Sequence, residues 1–142
     1  MSETIKEFRY EKSGVILFNS YSKIGTEVLS NHHLCRMEYE GKVFHSSEQL
    51  FYWLRLTGCP EHQEALLQCP TPKETKNMGD KFMKKLGIAD DIYRDVQLLR
   101  LAIRVKYNCC KEFKAFLDNH PNDYIVEYAW WGDNEYGCVD EE

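Results

Sequence analysis

Ser46 to Gly58, SSEQLFYWLRLTG, is the most informative stretch of the chain. It reads as a helix running to about Thr57, stopped by Gly58 with Pro60 beyond. Ser46 or Ser47 supplies a capping oxygen. Glu48 sits in the first turn, where the helix dipole favours an acid. Leu50, Phe51, Trp53 and Leu54 follow, so the helix is mostly buried. Arg55 lies seven residues after Glu48, two turns down the same side. The pair is either a cap and a salt bridge or part of a site. A carboxylate among large apolar side chains is partly stripped of water, which suits it to proton transfer.

Helices dominate after Ser46. A second covers Glu61 to Gln68. Thr71-Pro72 reads as an N-cap and first helical residue, opening a helix to about Leu86 before Gly87. Asp90 to Asn108 is the clearest helix. Ile92, Val96, Leu99 and Ile103 form an apolar stripe at helical spacing, widened by Leu98, Leu101 and Val105, and this places the helix centrally. Lys111 to Asn119 is a further short helix. Tyr124 to Tyr128 fits either strand or helix.

Before Ser46 the pattern is extended. Residues 1 to 12 are a polar arm, and GVILFN at Gly14 to Asn19 is a short strand. Ser20 to Glu27 reads as a loop. In CRMEYEGKVF, Cys35 to Phe44, two extended pieces flank Glu40-Gly41 and form a hairpin. A small sheet followed by several helices gives one α+β domain over residues 1–142.

The composition narrows the function classes. Apolar content of 43 % with 13 % aromatic residues rules out a disordered chain. A formal charge of −5 argues against a general grip on phosphate backbones and leaves room for a pocket that takes one nucleotide. No apolar run approaches membrane-spanning length, and MSETIKEFRYEK has no apolar signal core. Six cysteines include no CxxC and no paired Cys/His spacing of a zinc site. Reduced thiols in a cytoplasmic protein without metal or organic cofactor are therefore expected. Walker, Rossmann and serine-triad patterns are absent.

Three sets of residues invite comment. Trp130-Trp131-Gly132-Asp133 lies in a glycine-broken segment. Its tryptophans either close the core or stack on a base, with Asp133 on a ribose hydroxyl and Tyr136 able to do similar work. His32, His33 and His45 read as ordinary polar or core histidines. Lys73, Lys76, Lys81, Lys84 and Lys85 read as a solvated helix face.

Several stretches, taken in order, resemble the YbiA-like or NADAR family of N-glycosidases. They are Leu29-Ser30-Asn31, Tyr39 to Gly41 with Phe44, Ser47-Glu48, Thr71-Pro72 with Met78-Gly79, Leu101-Ala102 to Lys106-Tyr107, and Glu127 with the terminal Trp/Gly/Asp segment. Order and spacing follow the family from about residue 15 to 137. The resemblance implies a small sheet packed among helices, around a pocket for ribose-phosphate or ADP-ribose-like nucleotides. Members cleave N-glycosidic bonds, some in early riboflavin-pathway intermediates and some in ADP-ribosylated guanine of nucleic acid.

In that pattern Glu48 falls on the active-site glutamate. Ser30, Asn31 and Arg55 fall among the substrate contacts. The terminal aspartate and aromatic fall on Asp133 with Trp131, or on Asp133 with Tyr136. The departures are specific. Arg55 stands where the family carries a lysine associated with a Schiff-base route through the opened ribose, and a guanidinium cannot form a Schiff base. Asp80 replaces a basic residue after the glycine. The tryptophan expected near Asp91 is absent, with Tyr93 close by. The family's C-terminal G-x-N-x-L-G motif and its helix are missing from these 142 residues. The alternative to an enzyme is a catalytically inactive relative that holds an ADP-ribose-derived nucleotide.

Overall fold

A computed structural model describes residues 15–18, 27–121 and 124–127. The polar arm, residues 20–26 of the expected loop and the terminal segment with Trp131, Asp133 and Tyr136 lie outside the described residues. The chain divides into two compact units, one from Asn31–Lys114 and one from Met1–Ser30 with Ala115–Glu142.

Strand β1 (Val15–Phe18) belongs to the smaller unit; in the larger, β2 (Met37–Tyr39) and β3 (Lys42–Phe44) form the expected antiparallel hairpin. Glu40 and Gly41 make its two-residue turn with φ of 50° and 76°. Both central positions are left-handed, which suits the twist of the flanking strands.

Helix α1 (Ser47–Arg55) follows, then α2 (Pro60–Leu67), α3 (Pro72–Leu86) and α4 (Ile92–Cys109). Helix α5 (Lys111–Asp118) runs across the division between the units. Local chemistry sets the ends of α3. The Thr71 hydroxyl accepts from the Glu74 N–H, Pro72 takes the first turn, and Gly87 closes the helix in the left-handed region with φ of 69°.

The central helix is α1. Leu50, Phe51, Tyr52, Trp53 and Leu54 are all buried, so it is covered on nearly every side. It packs against α2, α3, α4 and β3. The Trp53 indole meets the Phe44 ring edge-on at 5.4 Å and the Tyr39 ring at 6.4 Å. Gly79 lets α3 come close to α1. A Cβ there would lie 2.3 Å from Tyr52 Cδ1.

Helix α4 is less central than its apolar stripe predicts. Ile92 is 44 % exposed, and the fully covered residues are Asp95, Ala102 and Lys106. Leu98, Leu99, Leu101 and Val105 are only partly buried against the core. The helix is rotated so that Asp95 meets two arginines, and the ion pairs described below hold that rotation.

In the smaller unit, β1 (Val15–Phe18) pairs in parallel with β4 (Tyr124–Glu127), in the register Val15 to Tyr124 and Phe18 to Glu127. The segment that fitted either strand or helix is thus a strand. Glu27–Leu29 is a turn of 3-10 helix, and Phe116 stacks on His120 at 4.4 Å. The described residues make up a small α+β structure of five α-helices, one antiparallel hairpin and one parallel strand pair. No helix among them is long and apolar enough to cross a membrane.

Candidate functional site

The head of α1 is fixed from two directions. Ser46 is the N-cap, and its hydroxyl accepts from the Gln49 N–H at 3.2 Å. The His45 Nε2 is 2.9 Å from the Cys69 carbonyl, which can only accept, so that nitrogen carries the proton. His45 Nδ1 then accepts from the Ser46 hydroxyl at 2.9 Å. Burial holds the His45 pKa below its ordinary value, in keeping with a neutral ring. Buried Gln49 accepts from the His45 N–H at 2.9 Å and donates to the Leu66 carbonyl at 3.2 Å. The two side chains tie the start of α1 to the turn between α2 and α3.

The other tie is Asn31. Its carbonyl accepts from the Glu48 N–H at 3.1 Å, and its Oδ1 accepts from the Ser47 hydroxyl at 2.8 Å. This seats the 31–33 turn on the first turn of α1. His32 follows directly, and its Nε2 lies 2.6 Å from Glu48 Oε2. The Glu48 side chain is 12 % exposed and the His32 side chain 33 %. Glu48 is therefore a largely covered carboxylate, held by a neighbouring imidazole at a helix N-terminus.

Tyr52 comes one turn below Glu48, and its hydroxyl donates to Asp80 Oδ1 at 2.7 Å. Burial raises the phenol pKa most, and the Asp80 hydrogen bond and the Glu48 charge raise it further. Tyr52 remains a protonated donor. Arg55 follows on the same side, its guanidinium carbon 5.1 Å from the centres of both the Phe51 and Tyr52 rings. Glu48, Tyr52 and Arg55, at positions i, i+4 and i+7, form a polar strip along one side of the helix.

Arg55 is occupied by carboxylates. Its Nη2 donates to Asp90 Oδ1 at 2.8 Å and to Asp95 Oδ2 at 3.4 Å. The two acids differ in environment, with Asp95 1 % exposed and Asp90 89 % exposed. Asp95 also accepts from Arg94 Nε at 2.9 Å and from the Asp91 N–H at 3.3 Å, so its burial is compensated. Arg55 Nε is buried without a hydrogen-bond partner among the described residues. A cleft of about 500 Å³ opens here, lined by Arg55, Asp80, Met83, Lys84, Ile88 and Asp90 among others.

Of the residues expected at a site, Asn31 and Glu48 are hydrogen-bonded to each other and Arg55 lies two turns further along α1. Ser30 is buried in the smaller unit, where its N–H donates to the Glu27 carbonyl at 3.1 Å. Trp131, Asp133 and Tyr136 are outside the described residues. His32, Tyr52 and Asp80 were not foreseen. Two sequence signals pointed to them: His32 directly follows Asn31, and Tyr52 is four residues from Glu48 on the same helix face. The five lysines expected on a solvated face are all exposed on α3.

No protein-family model matches the chain, and no curated protein matches it closely enough to count as a relative.

Proposed function

We propose that the protein is an N-glycosidase-like hydrolase acting on a ribose-phosphate or ADP-ribose-type nucleotide, with Glu48 as its acid/base. The observation that carries this reading is the covered Glu48 carboxylate, 2.6 Å from His32 Nε2 and seated on the Asn31 turn. Breaking an N-glycosidic bond develops positive charge on the sugar and negative charge on the leaving nitrogen. A carboxyl group at that point protonates the nitrogen, or its anion accepts a proton from the attacking water. His32 keeps the carboxylate in one orientation. Asn31, held by its two bonds to the helix head, contributes a fixed polar edge beside it.

Arg55 binds the anionic part of the ligand in this scheme. The buried Asp95 keeps the guanidinium in place, while the exposed Asp90 gives way to a ligand phosphate. An exposed ion pair is weak, about 0–1 kcal/mol, so the exchange costs little. The contacts expected of Ser30, of Asp133 and of Trp131 or Tyr136 rest on the family resemblance alone.

Arg55 also favours a second reading, a relative that binds such a nucleotide without cleaving it. The arginine excludes the amine chemistry of the family's lysine, and the neighbouring carboxylates Asp80, Asp90 and Asp95 oppose a phosphate at the same cleft. Incubation with ADP-ribose, NAD, riboflavin-pathway ribosyl intermediates and an ADP-ribosylated guanine oligonucleotide separates the two. Chromatography and mass spectrometry after heat denaturation read the outcome. A free base with its sugar phosphate supports the hydrolase. A ligand retained by the protein and released unchanged supports the binding protein.

A further inference from the structure

A second cleft, which shares no residue with the one at Arg55, lies between the segment before β2, strand β3 and the turn joining α2 to α3. It encloses about 570 Å³, within the size range of small-molecule sites. All of its lining belongs to the larger unit. Leu34 is 60 % exposed and Val43 51 %. Both line this cleft, together with half-buried Leu67 and with Pro70. A single exposed apolar side chain needs no account, but two in one concavity beside further apolar groups mark a binding surface.

The inner lining is satisfied by the protein itself. Phe44 and Gln49 are buried there. The Gln49 amide accepts from the His45 N–H and donates to the Leu66 carbonyl. Both ring nitrogens of His45 are bonded as well, one to the Ser46 hydroxyl and one to the Cys69 carbonyl. These groups leave a ligand little to bond with, so the inner part suits a hydrocarbon chain or a ring, whose transfer from water is favourable.

The exposed lining selects the charge. Among the described residues around the cleft, Arg36 carries the one fixed charge and none is acidic. Its Nη1 lies 2.6 Å from Glu38 Oε1, and both side chains are exposed. An exposed ion pair of this kind is weak and gives way to another carboxylate. The guanidinium fork matches carboxylate geometry, and the exposed Gln68 amide adds a donor. We propose that this cleft binds a small organic acid, with its apolar chain or ring against Leu34, Val43 and Leu67 and its carboxylate on Arg36.

Sodium decanoate and decylammonium chloride test the site, because they share a chain and differ in the sign of the head group. Full-length, isotope-labelled protein is titrated with each below the concentration at which it forms micelles, and the backbone amide resonances are followed. Decanoate is expected to cause saturable shifts at Leu34 to Arg36, Val43 to His45 and Leu67 to Cys69. Decylammonium is expected to bind at least about threefold more weakly. Arg36→Gln should weaken decanoate about 2- to 5-fold and remove the preference for the anion, while Glu38→Gln, which frees Arg36, should tighten it about 2- to 5-fold. Leu34→Ser should weaken both ligands by at least about threefold through lost apolar contact. All three positions are exposed, so the ligand-free amide spectrum away from each substitution should stay unchanged. The proposal is overturned if decanoate causes no saturable shift at these amides, or shifts Asn31, Glu48 and Arg55 in their place. It is overturned equally if decylammonium binds as tightly as decanoate, or if the preference for the anion survives Arg36→Gln.

Discussion

His32 Nε2 lies 2.6 Å from Glu48 Oε2, and the turn that carries His32 is bonded through Asn31 to the backbone N–H of Glu48 itself. The carboxylate and its partner are therefore held by the same turn. A capping glutamate needs no such neighbour, because the helix head is already capped by Ser46. This redundancy separates Glu48 from an ordinary first-turn acid and motivates its assignment to chemistry.

Gly79→Ala is expected to destabilise the protein by about 1–3 kcal/mol, since the added methyl meets the Tyr52 ring at 2.3 Å in a packed core. The ring must shift, and its hydrogen bond to Asp80 shifts with it. Urea unfolding of Gly79→Ala beside wild type measures the cost. Tyr52→Leu in the same background should recover part of it if the ring is the obstacle.

Asp90→Asn is expected to leave the fold unchanged and to tighten binding of anionic nucleotides by about 2- to 5-fold, the loss of one exposed competing charge. Asp95→Asn is expected to destabilise the protein, because that carboxylate is buried against two arginines. Calorimetric titration with ADP-ribose checks the first and thermal unfolding the second. Equal affinity of wild type and Asp90→Asn would remove Arg55 from the binding scheme.

Acid is expected to destabilise the fold through His45. Its pKa is lowered by burial in the folded state, so between that value and the ordinary 6.5 the unfolded chain binds more protons. The stability contributed is present above pH 6.5 and is lost as the pH falls through the folded value. His45→Gln should therefore lose less stability than wild type between pH 7 and 5, measured by urea unfolding at each pH. Parallel curves would place the acid sensitivity elsewhere.

Much of the fold was legible because it is fixed locally. Thr71, Pro72 and Gly87 bound α3 through capping, a preset φ and a left-handed stop, all within one turn of each helix end. Glu40-Gly41 marked the hairpin for the same kind of reason. What could not be read depends on distant partners. The rotation of α4 follows from Asp95 meeting Arg55 and Arg94, against the direction of its apolar stripe. The strand identity of Tyr124–Glu127 comes from β1 at the other end of the chain. Within the candidate site, Glu48 was visible as a charge out of keeping with its neighbours. His32 was not, because its role exists only once the Asn31 turn is seated on α1.

The most direct test of the account compares wild type with Glu48→Gln on a ribosyl-nucleotide substrate under single-turnover conditions, with the free base quantified by mass spectrometry. The substitution keeps the side chain's size and a hydrogen-bonding oxygen for His32 while removing the proton-transfer group. The account predicts that wild type releases the base and that Glu48→Gln does so about 10²–10⁴ times more slowly, with substrate affinity little changed. Equal release by the two proteins, or no release by wild type from any of the nucleotides, would contradict it.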